Sequence, residues 1–150
     1  MDPNQSIISF LKQIPNRYLR IGDILHLVIR TFFQKAKAGN QMEPDHLKNW
    51  AKSIFRKDVE YSKNNPDGRD LPQDQFPPKL LHEYYYNLPN ADYLCEVAEN
   101  KMLKAINNFS TASEFEEIRF NGSKSTSVIE KRFRLEFRTC QATGQIDLCR

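Results

Sequence analysis

A change of period along the chain constrains its fold more than any other feature. Apolar residues recur at helical spacing up to about Phe109, and from Glu114 onward they alternate in twos. Because periods of 3.6 and 2 residues describe different backbones, the sequence predicts a helical body followed by a small sheet. A chain of 150 residues is long enough for one core. The predicted class is therefore α+β, in a single domain spanning residues 1–150.

The helical part is predicted to contain four or five helices. The stretch from Ile24 to Phe33 is apolar on almost all sides, which is typical of a central helix. Pro15 and Pro89 are expected to end the helices before them, and Asn90 is expected to cap the last one. The predicted helices span about residues 7–14, 24–38, 44–57, 80–88 and 91–109.

The C-terminal part is predicted to form an antiparallel β-hairpin or a small three-stranded sheet. Residues 114–120 are the first predicted strand, and Asn121-Gly122 is a strong hairpin-turn signal. Residues 132–140 alternate, so one face carries Phe133, Leu135 and Phe137 and the other carries Arg132, Arg134, Glu136 and Arg138. A turn at residues 142–144 and a last strand at 146–149 complete the prediction. The aromatic face is expected to pack on the helices.

A Pro-rich segment separates the third and fourth predicted helices. Residues 62–78 contain four Pro and a Pro-Asp-Gly turn, so no regular element is expected there. A loop of this length is uncommon in a compact domain and is often functional. The sequence thus predicts a lid, a clamp or a docking strand in this loop.

Composition narrows the compartment and the class of protein. No stretch approaches the ~18 consecutive apolar residues that a membrane span needs, and the first residues lack the pattern of a cleaved signal peptide. Cys95, Cys140 and Cys149 form no CxxC pair, which is typical of reduced thiols. These features predict a soluble protein of the cytoplasm or nucleus, without membrane contact.

Charge is distributed unevenly along the chain. Residues 1–58 carry ten Lys and Arg against five Asp and Glu, residues 59–118 carry five against eleven, and residues 119–150 carry seven against three. The basic ends can bind a polyanion, or they can pair with the acidic middle inside the fold. The sequence leaves both interpretations open.

The most suggestive binding candidate is the charged face of the 132–140 strand. Two-residue spacing places Arg132 and Arg134 about 6–7 Å apart on one face, close to the phosphate spacing of a nucleic-acid strand. The predicted binding residues here are Lys124, Lys131, Arg132, Arg134 and Arg138. The alternative is a solvated sheet face, on which Glu130 and Glu136 partly compensate the arginines. Glu114, Glu116 and Glu117 can also face them across the hairpin.

Two further patterns are compatible with binding. Tyr84, Tyr85 and Tyr86 are consecutive, so at least one ring of a helix must lie near the surface, where Tyr84 or Tyr86 can stack on a base or a partner side chain. The ordinary alternative is core packing with the hydroxyl groups at the rim. The third predicted helix has a basic outer face that includes Lys52 and Arg56, which fits either a helix-turn-helix or simple solubility.

Signals for catalysis are weak. His26, His46 and His82 fall on three different predicted helices without metal-ligand spacing, and Gly122-Ser123-Lys124 lacks the glycines of a phosphate-binding loop. The arrangement closest to an active site is a metal-dependent nuclease cluster of Glu117 and Glu136. We therefore expect neither cofactor nor metal.

Three functions remain open from the sequence. The favoured one is a non-enzymatic binding module that associates with a protein or nucleic-acid partner through the basic β face and the Pro-rich loop. The alternatives are a small metal-dependent nuclease or RNase-type enzyme and a structural subunit of a larger assembly. No residue is assigned a catalytic role.

Overall fold

A computed structural model describes the backbone of residues 3–40, 42–68, 77–122, 128–136 and 141–149. Three of its helices have 21 residues each and form the body of the domain. The helices are α1 Pro3–Leu11, α2 Arg17–Lys37, α3 Pro44–Asn64, α4 His82–Tyr85, α5 Ala91–Thr111 and α6 Glu116–Gly122, with a 3₁₀ helix at Ser113–Phe115. The predicted helical body is therefore confirmed, and none of the described helices is long and apolar enough to cross a membrane.

The core lies where α2, α3 and α5 pack against one another. Ala51 on α3 and Ala98 on α5 are fully buried, and small side chains let helix axes approach closely. Larger apolar side chains fill the space around them, namely Ile24, Val28, Leu47, Phe55, Leu81, Met102 and Ile106. As predicted, the apolar stretch of α2 supplies much of this core.

Helix α2 begins at Arg17, earlier than the apolar stretch predicted. Asn16 has an extended backbone, and its side-chain oxygen accepts a hydrogen bond of 2.9 Å from the Leu19 N–H. This N-cap satisfies one of the orphan donors at the helix start, so the helix includes Gly22, which the prediction placed before it. Helix α5 begins where Asn90 was expected, although the Asn90 side chain makes no capping bond.

The prediction of a strand at 114–120 is wrong. Residues 113–115 form the 3₁₀ helix and α6 follows, so Asn121-Gly122 ends a helix and is not a hairpin turn. Two acidic residues in the first turn of α6 interact favourably with the helix dipole. The Phe115 ring contacts Phe109 of α5 at 6.4 Å, and the Arg119 guanidinium donates to the carbonyl oxygens of Phe109 and Ala112. These contacts hold the segment on the end of α5.

Two strands follow near the C-terminus, β1 Val128–Glu136 and β2 Gln141–Cys149, paired antiparallel. Only their backbone is described. The turn predicted at 142–144 is wrong, because these residues lie within β2 and Gly144 is opposite Phe133. The predicted packing of Phe133, Leu135 and Phe137 on the helices lies outside the described residues.

The Pro-rich segment is shorter than predicted, because α3 continues through Ser62 to Asn64. Residues 69–76, its central part, lie outside the described residues. The fourth predicted helix is also shorter, since residues 77–81 form no regular element, Leu81 has an extended backbone and only α4 is helical. The helix is short because polar contacts fix residues 79–83 against α2 and α3.

Candidate functional site

Two carboxylates are buried beside the start of α2. Asp58 on α3 is 0% exposed and Glu83 on α4 is 1% exposed. Asp58 accepts two hydrogen bonds from the Arg20 guanidinium, at 2.7 and 3.2 Å, and Glu83 accepts one from Arg17 at 2.7 Å. Since a buried charge is costly unless it is paired and hydrogen-bonded, each arginine compensates for one carboxylate.

Asp58 and Ser62 bind residues 79–81. The Lys79 N–H donates to Asp58 at 2.7 Å, and the Leu81 N–H donates to the Ser62 hydroxyl at 2.9 Å. The Ser62 hydroxyl itself donates to the Asp58 carbonyl oxygen at 2.6 Å. Burial raises the pKa of the Asp58 carboxyl, and the hydrogen bond from Arg20 opposes this shift. We call this group of residues the Asp58 clamp; it consists of Arg20, Asp58, Ser62, Lys79 and Leu81.

Glu83 connects α4 to the first turn of α2. Its carboxylate accepts the Arg17 backbone N–H at 3.1 and 3.2 Å, in addition to the guanidinium. The His82 N–H donates to the Pro15 carbonyl oxygen at 3.0 Å. A carboxylate at a helix N-terminus satisfies orphan N–H groups and interacts favourably with the helix dipole. Asp58 and Glu83 therefore connect separate helices, and both carboxylates accept hydrogen bonds from arginines and backbone N–H groups of the fold.

An aromatic cluster lies beside this connection. The Tyr85 ring contacts Phe10 at 5.9 Å and Tyr86 at 4.9 Å, and the His82 ring lies 4.4 Å from Tyr86. Tyr86 is 49% exposed, so the prediction that one of the three tyrosine rings lies near the surface is confirmed. Gly68, at the start of the undescribed loop residues, also packs against this cluster through Phe10.

Gly68 is required at its position for two reasons. Its φ is +66°, a conformation that residues with a Cβ rarely adopt. A methyl group there would also lie 2.8 Å from Leu80 Cδ2 and 3.1 Å from Phe10 Cζ. The chain is thus packed closely against Phe10 and Leu80 at Gly68, where the described part before the Pro-rich loop ends.

The basic side of α3 faces acidic residues of α5. Arg56 makes two hydrogen bonds of 3.1 Å to Glu99, Lys52 lies 3.9 Å from the same carboxylate, and Lys63 lies 2.9 Å from Asp92. We call these contacts the α3–α5 seam. They support the interpretation that these cations pair within the fold, and they use groups that a helix-turn-helix would present to phosphates.

Tyr84 lies at one end of the α3–α5 seam. Its hydroxyl donates to Asp92 at 2.7 Å, and burial raises the pKa of this phenol. Hydrogen bonds from Lys63 and Tyr84 lower the pKa of Asp92. Cys95 is buried nearby, and burial raises the pKa of its thiol to about 11. A thiol of this kind is an inert core residue rather than a nucleophile.

A cleft of about 1000 Å³ lies at the other end of the helical body. It is bounded by the end of α2, the start of α3, the end of α5 and α6. Its lining combines apolar side chains with acidic ones, two serines and one arginine. The described lining residues are Phe32, Ala36, Met42, Glu43, Pro44, Ser110, Ser113, Glu116, Glu117, Arg119 and Phe120. We call it the acidic cleft, because among these described lining residues three carboxylates accompany one guanidinium.

The predicted basic residues fall on or beside β1. Lys131, Arg132 and Arg134 lie within the strand, whereas Lys124 and Arg138 lie outside the described residues. In the strand pairing Arg132 is opposite Gln145 and Arg134 is opposite Thr143. The expectation that Glu114, Glu116 and Glu117 face these arginines across a hairpin is wrong, because all three lie in the 3₁₀ helix or α6.

The described residues contain no group of three or more His, Cys, Asp or Glu side chains that could hold a metal ion. His26, His46 and His82 lie on α2, α3 and α4, as their sequence positions predicted. Of the nuclease candidates, Glu117 lies on α6, and Glu136 ends β1, where only the backbone is described. The two-metal arrangement stays a prediction without structural support.

Neither the Asp58 clamp nor the Glu83 contacts are predicted from the sequence. A signal was present for part of the clamp, because Asp58 and Ser62 continue the apolar stripe of α3 formed by Leu47, Ala51 and Phe55. A polar residue on a buried stripe must find a hydrogen-bond partner, so such a position predicts a buried polar contact. The partners Arg20 and Lys79 could not be identified from the sequence, since only the fold brings them near.

No family model, curated protein or solved structure matches this chain.

Proposed function

We propose that this protein is a non-enzymatic binding module that contacts the backbone of a single-stranded nucleic acid through its C-terminal basic residues. These residues are Lys124, Lys131, Arg132, Arg134 and Arg138. The proposal includes the finer α+β architecture, in which the β1–β2 ribbon packs on the helices through Phe133, Leu135 and Phe137. The Pro-rich loop and the exposed Tyr86 ring flank the binding surface in this proposal.

The use of charge in the helical body supports this choice of surface. Arg17, Arg20 and Arg56 are each paired with a carboxylate at 3.1 Å or less. Lys48 pairs with Asp45 on the same helix, and Lys63 pairs with Asp92. At least five of the ten basic residues in 1–58 thus lie within 4 Å of a carboxylate inside the fold, namely Arg17, Arg20, Lys48, Lys52 and Arg56. The C-terminal basic end is the better candidate for binding a polyanion.

The strand register is the single observation that carries the proposal. The residues opposite Arg132 and Arg134 are Gln145 and Thr143, which bear no charge. Directly opposite side chains are the strongest cross-strand neighbours in an antiparallel pair. Neither of these directly opposite residues is a carboxylate, so the register supports arginines that contact phosphates. Glu130 and Glu136, two positions away along β1, are the competing partners.

The test is the salt dependence of binding to a fluorescein-labelled single-stranded RNA, measured by fluorescence anisotropy. For single strands, log K is expected to fall with log salt concentration by about 0.7 per phosphate contact. The triple variant R132Q/R134Q/R138Q should therefore bind more weakly and show a slope smaller by about 2. A matched control is K12Q/K57Q/K104Q, which removes the same charge from exposed lysines of the helical body.

Three results would contradict the proposal. Absence of binding at about 50 mM salt would eliminate a nucleic-acid partner and favour a protein partner or a structural subunit. An equal loss in the control variant would show that net charge alone attracts the RNA. Cleavage of the RNA with Mg²⁺ that is lost in E136Q and in E117Q would establish the nuclease instead.

A further inference from the structure

We infer that the acidic cleft is a docking site for a basic amphipathic helix of a partner protein. The described residues that line this surface are different from the C-terminal basic residues, and their net charge has the opposite sign. The inference does not depend on nucleic-acid binding, so either proposal can fail alone.

The floor of the acidic cleft is apolar and rigidly supported. Phe32 and Phe109 form an edge-to-face contact at 5.3 Å, and Phe109 also contacts Phe33 of the core at 5.9 Å. Phe32 and Met42 are half-buried and line the cleft, which makes their outer surfaces part of its floor. Large apolar residues at the surface of a pocket are the usual anchors for a partner side chain.

Phe120 adds an exposed aromatic ring at the edge of the acidic cleft. It is 65% exposed on α6. The Arg119 guanidinium holds the adjacent turn on α5 through the carbonyl oxygens of Phe109 and Ala112. An amphipathic helix is recognised by such a groove through apolar residues at i, i+3, i+4 and i+7.

The rim of the acidic cleft determines the charge of the partner. Glu43, Glu116 and Glu117 are all exposed and line it from two sides, on α6 and before α3. Arg119 is the only cation among the described lining residues, and its guanidinium already donates to two carbonyl oxygens. Complementary charge at a rim steers association and suppresses unsuitable partners, so lysines or arginines should flank the apolar residues of the partner.

Size and polarity favour a helix over a small metabolite. About 1000 Å³ is at the upper limit of the volumes typical of small-molecule pockets. The lining is also mixed in polarity, because Ser110, Ser113 and Glu43 lie beside the apolar residues.

The test uses a synthetic amphipathic peptide of about 14 residues, or four helical turns, with leucines on one face and lysines on the other. Two control peptides accompany it, one with glutamate in place of lysine and one with the same composition in scrambled order. Binding to the full chain is measured by isothermal titration calorimetry. We expect the lysine peptide to bind, and both control peptides to bind at least about tenfold more weakly.

Variants of the chain locate the peptide. E43Q/E116Q should weaken binding mainly at low salt, because rim charges act through screened electrostatics. F120S should weaken binding about tenfold at all salt concentrations, because it removes an apolar anchor. The matched control E60Q/E96Q removes two exposed carboxylates of α3 and α5 away from the acidic cleft and should leave the affinity unchanged.

Each other outcome would overturn the inference. Equal losses in E60Q/E96Q and E43Q/E116Q would show attraction by overall charge, and equal binding of the glutamate peptide would exclude the proposed charge complementarity. Self-association of the wild-type chain that F120S abolishes would show that a second copy covers the acidic cleft. Circular dichroism of each variant establishes that the helical fold is retained.

Discussion

The Asp58 clamp and the α3–α5 seam use the same ion-pair chemistry in opposite environments. Asp58 has no exposure to solvent, and its arginine partner is 14% exposed. In the α3–α5 seam, Arg56 is 64% exposed and Lys63 is 46% exposed. Both regions join elements that are distant in sequence, yet water screens only the seam.

The difference teaches that geometry alone does not give the energy of an ion pair. A buried pair gains little net stability over an apolar pair, but removal of one partner leaves an uncompensated charge inside the protein. A pair with an exposed cation contributes at most about 1 kcal/mol, because water solvates and screens that cation. In the seam the exposed cations are Arg56 and Lys63, although Glu99 itself is 12% exposed. The clamp should therefore be intolerant of substitution and the seam tolerant of it.

The largest effect is expected for Asp58→Asn. The amide has nearly the same shape, but its NH₂ group cannot accept hydrogen bonds from the Arg20 guanidinium. We expect the free energy of unfolding to fall by about 3–5 kcal/mol, because Arg20 loses its buried partner. Urea denaturation followed by circular dichroism measures it. A loss below about 1 kcal/mol would place Asp58 with the exposed pairs and remove the contrast.

A smaller loss is expected for Ser62→Ala. This change leaves the Leu81 N–H without its acceptor in a buried position. A buried donor without a partner costs about 1–3 kcal/mol, so the denaturation midpoint should shift accordingly with the slope unchanged. Hydrogen exchange of the Leu81 amide should also accelerate. Unchanged exchange at Leu81 would show that Ser62 does not fix residues 79–81.

Glu99→Gln in the α3–α5 seam should have a small effect. The free energy of unfolding should fall by less than about 1 kcal/mol, and this difference should shrink as salt is raised. Parallel denaturation at low and high salt measures both. A loss as large as that of Asp58→Asn would mean that exposure does not separate the two regions.

The subtlest difference lies in the order of proton uptake by two aspartates. The pKa of Asp58 is raised above its ordinary value of 3.8 by burial, whereas the pKa of Asp92 is lowered below 3.8 by Lys63 and Tyr84. Titration followed by carboxyl ¹³C chemical shifts should show Asp58 protonating first as the pH falls. The reverse order would contradict the assigned environments.

The two shifts have opposite signs in their effect on stability. The folded chain holds the Asp92 proton less tightly than the unfolded chain does, so the Asp92 contribution is present above the unfolded pKa and is lost as the pH falls through the lowered value. The folded chain holds the Asp58 proton more tightly. Its contribution therefore becomes more favourable as the pH falls through the raised value.

The sequence predicts the long helices well because their apolar periodicity and their end signals agree. Pro44 marks the start of α3, and Asn90 immediately precedes α5. The sequence-based prediction fails at α6, where Ile118 and Phe120 have the two-residue spacing of a strand but the contacts with α5 decide the conformation. It also fails at residues 80–88, where the helix is confined to α4 because Asp58 and Ser62 accept hydrogen bonds from the Lys79 and Leu81 N–H groups.

The candidate sites also differ in whether a local sequence pattern indicates them. A charged segment such as Arg132–Arg134 can be recognised from sequence, because its spacing along a strand is local. The acidic cleft combines Phe32, Met42, Ser110 and Phe120 from distant parts of the chain, so no local pattern indicates it. The pairing of Arg56 with Glu99 is equally non-local, which is why the basic face of α3 remained ambiguous.

The central claim is that the cations of the α3–α5 seam stabilise the fold, whereas the C-terminal cations bind the nucleic acid. The most direct test compares the RNA affinity of K52Q/R56Q/K63Q with that of R132Q/R134Q/R138Q. Both variants remove three positive charges, but only the first takes them from cations engaged in the α3–α5 seam. We predict that the seam variant keeps both the affinity and the salt dependence of the wild type, whereas the C-terminal variant loses both. A loss in the seam variant as large as that in the C-terminal variant would contradict the account.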